Sequence, residues 1–229
     1  ISSSGNPVIR TISNTGSTTV TSLNGSILDT TLTADFLTLT AATGIGTNGS
    51  PLPITVGSLT ANLTGTGSIF ISETNSITLA DLDTVDGSIT VTSGGALTAT
   101  DVQASGAGQD VTLTTTSGDI LLGLVSAADD VTLTSAASIE ESGADLGADL
   151  IGDLATLTSA TGIGALGAIE TTLASADFSV TGTGAINFSE TNALTLTDLD
   201  TVDGSITVSS GGALTATDVQ ASGAGQDVT

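Results

Sequence analysis

The sequence predicts an all-β protein, specifically a right-handed parallel β-helix (β-solenoid) of about ten coils with ~20–23 residues in each. Three observations carry that expectation. A 40-residue stretch recurs almost verbatim 117 residues later, a period near 20 residues lies inside that long repeat, and apolar side chains alternate with Thr or Ser in short runs.

The long repeat comes first. Glu73 to Thr112 aligns with Glu190 to Thr229 without gaps at an offset of 117, with 36 of 40 positions identical and the last 20 matching completely. Upstream, Gly65-Thr66-Gly67-Ser68-Ile69 corresponds to Gly182-Thr183-Gly184-Ala185-Ile186, and Thr43-Gly44-Ile45-Gly46 to Thr161-Gly162-Ile163-Gly164 at an offset of 118. Residues 1–229 read as one continuous solenoid segment. The second copy stops at Thr229, where the first runs on into Leu113, so the chain is expected to be a fragment of a longer repetitive protein.

The short period follows. Ile69 and Ile89, Ile77 and Leu97, and Val111 and Val131 are each 20 residues apart, while Ile120 and Ile139 are 19 apart. Runs such as Ile89-Thr90-Val91 and Leu97-Thr98-Ala99 have the two-residue alternation of a half-buried strand. A second run begins 8 or 9 residues after the first, as from Ile89 to Leu97, Val111 to Ile120 and Phe178 to Ile186. Gly, Ser, Asn and Asp fill the gaps, as turns require. Ile89, Val91, Leu97, Val111, Leu113, Ile120, Val131 and Leu133 are therefore predicted to point inward and to stack on residues one coil away. Parallel crossovers within one sheet are almost always right-handed, which sets the expected hand. A row of Ig-like sandwiches is the competing fold; the 20-residue period and the absence of Trp and Tyr speak against it.

Composition excludes whole classes of chemistry. The chain carries 24 acidic side chains against one basic residue, Arg10, for a formal charge of −23, and has no Cys, His, Lys, Met, Trp or Tyr. A Ser-His-Asp triad, a Cys nucleophile, a Schiff-base lysine and a zinc site of the usual N/S type are thus absent. One Arg cannot neutralise a phosphate backbone, so nucleic acid is not an expected partner. No apolar run approaches the roughly 18 residues needed for a membrane-spanning helix. With 44 Thr and 38% hydrophobic residues, the composition suits a folded structural protein rather than an enzyme.

The tandem units Gly87-Ser88-Ile89-Thr90-Val91, Asp110-Val111-Thr112-Leu113-Thr114 and Ser117-Gly118-Asp119-Ile120-Leu121-Leu122 resemble the shafts of large bacterial surface proteins. The nearest in style are the filamentous-haemagglutinin-like adhesins and related β-strand-repeat proteins. The resemblance extends from about residue 25 onward and implies a secreted, extracellular, cell-surface fibre with a right-handed β-helical shaft. The amino-terminal secretion module of that family is not evident in the sequence.

Several candidate sites accompany this reading. Asp81-Leu82-Asp83-Thr84-Val85-Asp86-Gly87 and its copy from Asp198 to Gly204 bring three carboxylates into seven residues, the oxygen-rich chemistry that calcium prefers. Asp81, Asp83, Asp86, Asp198, Asp200 and Asp203 are the calcium candidates; the spacing fits neither an EF-hand nor a nonapeptide calcium repeat, and Asp equally serves turns and solubility. No other cofactor is expected. Gly162-Ile163-Gly164-Ala165-Leu166-Gly167 has the letters of a dinucleotide fingerprint, but its counterpart Gly44-Ile45-Gly46-Thr47-Asn48-Gly49 marks it as turn glycine. Glu140 with Glu141, or Glu73 with Asp81, raises the idea of glycan cleavage, which the lack of Trp and Tyr disfavours. Thr-x-Thr pairs such as Thr98/Thr100, Thr112/Thr114, Thr132/Thr134 and Thr195/Thr197 suggest an outward array of the kind that binds ice, which the irregular coil from Asp145 to Asp153 is expected to break. Asn24, Asn62 and Asn187 fit the N-glycosylation pattern. Two functional classes remain: a non-catalytic fibre or stalk, built by covalent continuation or end-to-end self-association, and an adhesive module gripping a glycan or a cell surface.

Overall fold

The computed structural model describes residues 1–7, 10–28, 31–143 and 146–229. Its elements among those residues are strands, running from Ser2–Ser3 to Val219–Ala221, with no helix. They join in one sheet by parallel pairing to form a parallel β-solenoid of about 11 turns.

One coil illustrates how the sequence makes the fold. Ile89–Ser93 forms a first face with Ile89, Val91 and Ser93 pointing in. The chain turns at Gly94-Gly95 and enters Leu97–Ala104, where Leu97 and Ala99 are buried on a second face. Thr100 and Asp101 then interrupt the alternation, and Val102 and Ala104 are buried on a third. Two successive outward residues mark a corner, because each strand can reverse its inward parity only by bending.

Stacking turns these faces into columns. On the first face, Ile27, Ile45, Ile69, Ile89, Val111, Val131, Ala155, Ala176, Leu196 and Ala216 lie in register, one per coil, at a mean spacing of 21 residues. Beside it runs Leu52, Ile71, Val91, Leu113, Leu133, Leu157, Phe178, Leu199 and Val219. The second face stacks Ile77, Leu97, Ile120, Ile139, Ile163, Ile186 and Ile206. All eight predicted core residues have no exposed surface. No coil closes a core alone; each buries its apolar row against its neighbours. The interior is aliphatic, and its bulkiest members, Phe178 and Phe188, meet at a centroid distance of 4.9 Å.

The long repeat does not contain a whole number of coils. Ile45, Ile69 and Ile89 occupy the first face, while their repeat equivalents Ile163, Ile186 and Ile206 occupy the second. One repeat therefore advances five coils and one face of three, an axial rise of about 26 Å at roughly 4.8 Å per coil. The sequence alone suggests five coils; the extra third of a turn moves every repeated surface feature to the next side of the rod.

Burial of an unpaired charge tests the columns. Val111→Asp is expected to destabilise the chain by about 3–5 kcal/mol, seen as a lowered midpoint in thermal circular dichroism. Thr112→Asp, one residue on and facing outward, should change stability by less than about 1 kcal/mol. Equal effects of the two would contradict the inward assignment.

Candidate functional site

The carboxylates sort into an outer set and an inner set. Asp81 and Asp83 lie on the outer side of Ile77–Thr84, two residues apart, with Asp83 level with Asn62 in one neighbouring coil and Gln103 in the other. Asp101, from the next coil, adds its charge, and burial together with Asp81 and Asp101 pushes the Asp83 carboxyl upward. In the second copy Asp198 is level with Asp177, and Asp200 with Ser179 and Gln220. Burial, followed by Asp198, raises Asp177; burial, followed by Asp198 and Asp218, raises Asp200. Asp177 and Asp198 stack as like charges at the coil spacing, and Asp83 and Asp200 have acids on their own and the next coil, so these are acidic ladders with no cationic side chain interleaved.

Asp86 and Asp203 are employed differently. Gln109 Nε2 donates to Asp86 Oδ1 at 3.4 Å, Ser88 Oγ donates to Gln109 Oε1 at 3.0 Å, and Ser88 Oγ in turn accepts from the Asp110 backbone N–H at 3.0 Å. The second copy repeats this as Gln226 to Asp203 at 2.9 Å, Ser205 to Gln226 at 3.0 Å and Asp227 to Ser205 at 3.1 Å. Thr84 and Thr201 donate their hydroxyls to the carbonyls of Gly87 and Gly204 at the same corner. Asp86 thus lies at a hydrogen-bonded corner, while Asp81 and Asp83 share the outer side of one strand. Among the described residues, the groups whose carboxylate oxygens come within 4.8 Å of one another are Asp110 with Asp129 and Asp130, and Glu141 with Asp149 and Glu170.

The inner set is the one that the periodicity did not single out. Glu73 follows Ile69 and Ile71 at inward parity and is 3% exposed. Its Oε2 accepts the Val56 N–H and its Oε1 the Asn75 N–H, both at 2.8 Å. Glu190 repeats the arrangement with Leu173 and Asn192 and adds the Thr171 hydroxyl, each at 2.8 Å. Ser93, Thr115, Ser135 and Ser159 continue the Glu73 position in later coils and bond to the backbone of their corners. An oxygen at the last inward position of the first face satisfies amides and carbonyls that the turning chain leaves without a ladder partner. The legible signal is an acid at inward parity with Asn two residues later. Burial pushes the Glu73 carboxyl up.

The other candidates resolve as follows. Glu73 lies inside the wall and Asp81 on its outer side, so they form no carboxylate pair. Glu140 is buried, accepts the Leu166 N–H at 3.0 Å and is raised by burial. Gly46 and Gly164 hold φ of 65° and 61°, turn conformations that favour glycine, and Gly162–Ile163 is a two-residue strand with no helix after it. The Thr pairs form a longer array than expected: Thr90/Thr92, Thr112/Thr114, Thr132/Thr134 and Thr156/Thr158 are level through four successive coils. The irregular coil does not break it, because β-pairing resumes at Ala155 in register with Val131; Asp145 itself lies outside the described residues.

All of the displaced carboxyls described here move upward, and so does Asp129, mainly through Asp130. A carboxyl whose folded pKa exceeds its unfolded value holds its proton more tightly when folded, so stability falls as pH rises through that interval. The melting temperature at low salt is therefore expected to be higher near pH 4 than at pH 7, with the difference shrinking in high salt as the ladders are screened. Calcium bound at Asp81, Asp83 and Asp86 would raise it beyond the effect of equal magnesium, and Asp83→Asn with Asp200→Asn would remove that excess. A melting temperature that falls steadily from pH 7 to pH 4 would contradict the ladder account.

Compared with family models, with curated proteins and with solved structures, the chain finds no match.

Proposed function

We propose that the chain is a structural, non-catalytic segment of an extracellular fibre, stalk or adhesin shaft on a bacterial cell surface. The observation that carries this reading is the unbroken stack of about 11 turns, in which the same columns run from coil to coil across both copies of the repeat. Such a stack converts chain length into axial length at a fixed rate, which is what a spacer requires. The resemblance of its repeat units to filamentous-haemagglutinin-like shafts supports a place outside the cell. Interior carboxylates such as Glu73 and Glu190 are engaged by backbone amides, a role in holding corners rather than in turnover. Copies join by covalent continuation or by end-to-end self-association.

The second reading, an adhesive module, is favoured where a surface feature departs from the repeat. Particle shape separates the two. Small-angle scattering and electron microscopy are expected to show a rod of about 50 Å for the isolated chain, with an axial rise of about 26 Å per repeat wherever copies are joined. Lateral bundling should appear only when salt screens the charge of −23. Isotropic, monodisperse particles without axial periodicity would sink the shaft reading.

A further inference from the structure

One surface feature of the first repeat is built from residues that the second repeat replaces. Where the strands Thr31–Ala41 and Leu52–Leu63 turn their corners, two adjoining hollows of about 540 and 350 Å³ share Asp35 and Gly57. Phe36 stands at their edge with 60% of its surface exposed. It is the exposed one of the four phenylalanines: Phe178 and Phe188 are interior, and Phe70 is half-buried. Among the described residues, no hydrogen bond or ion pair engages the Asp35 carboxylate, while the Asp35 backbone N–H donates to the Gly16 carbonyl at 3.1 Å. Asn75 and Thr78 line the neighbouring coil.

The internal repeat supplies its own control. By the 118- and 117-residue offsets, Asp35, Phe36 and Gly57 correspond to Asp153, Leu154 and Ala174. The second copy keeps the acid, loses the ring and places a methyl where the floor is bare. A Cβ on Gly57 would lie 3.1 Å from the Asp35 carbonyl oxygen, so an Ala there presses on the Asp35 corner that the two hollows share.

We propose that this groove is a binding site for an uncharged oligosaccharide chain. The Phe36 ring offers a stacking face, the Asp35 carboxylate accepts sugar hydroxyls, and hydroxyl and amide groups from several coils surround them. A basic peptide is the competing occupant for a chain of charge −23, but the carboxylates are concentrated in ladders elsewhere, and the groove holds one. Acidic glycans are repelled. Strand addition by a peptide is not available here, because the wall strands are paired on both sides by the coils above and below. This goes beyond the shaft reading and stands whether or not the chain forms fibres.

The test uses the whole chain with cellotetraose, chitotetraose and maltotetraose as neutral probes, and with tetragalacturonate and tetralysine as charged ones. Saturation-transfer NMR and calorimetry read binding at physiological salt. At least one neutral probe should bind with a Kd of roughly 1 mM or tighter, with transfer from the aromatic ring. Phe36→Leu, which installs the second copy's residue, should weaken that binding about tenfold without lowering the melting temperature. Gly57→Ala should weaken it likewise. The proposal is overturned by three outcomes: no neutral probe bound at about 10 mM, equal binding by Phe36→Leu, or preference for tetralysine.

Discussion

Parallel stacking obliges each coil to meet two neighbours at once, and most of the structure follows from that obligation. Backbone amides and carbonyls point along the axis, so a coil finds its ladder partners only in the coils above and below. Side chains point across the axis, so the same residue must also align with its counterparts inside. The column from Ile27 to Ala216 exists because both conditions are met by one register. A slip of one residue in any coil would place Thr inside and Val or Leu outside over that whole face.

The same obligation explains where polar groups enter the interior. Faces end at corners, where the chain turns and the ladder is interrupted, leaving amides and carbonyls with no strand partner. Glu73, Ser93, Thr115, Ser135 and Ser159 bring oxygens to those places, and Glu190 does so in the second copy. Outside, stacking has the opposite consequence. Any acid that recurs at the coil period must stand above another, as Asp177 does beside Asp198, and no lysine is available to interleave. The rod thus carries its repulsion in ladders, which also discourages sideways sheet pairing.

What was legible in the sequence is what alternation and period determine together. Ile89, Val91 and Leu97 satisfy both tests, and each lies in its expected column. The face occupied by the second copy was not legible, because it depends on how many residues each corner consumes. The interval is 18 from Ile27 to Ile45 and 24 from Ile45 to Ile69, although both pairs lie one coil apart. The partner that Asp86 finds in Gln109 was not legible either, because Gln109 is 23 positions away and meets it only after stacking. Glu73 reads beside Asp81 as a carboxylate pair when the strands are taken in isolation, but inward parity puts Glu73 on the opposite side of the wall. The groove beside Phe36 is a property of two corners from different coils, and only the comparison with Leu154 and Ala174 makes it stand out.

The central claim is that residues one coil apart are level and rise by a constant step along the axis. The absence of native cysteine allows spin labels to be placed at will. Ser72, Thr92, Thr114, Thr134, Thr158, Ser179, Asp200 and Gln220 form one outward column. Pulsed electron–electron distances from a label at Ser72 should be about 19 Å to Thr158, about 24 Å to Ser179 and about 34 Å to Gln220, growing by roughly 4.8 Å per coil. Distances that fail to increase in that order, or that cluster within one compact range, would contradict the stacked-coil account.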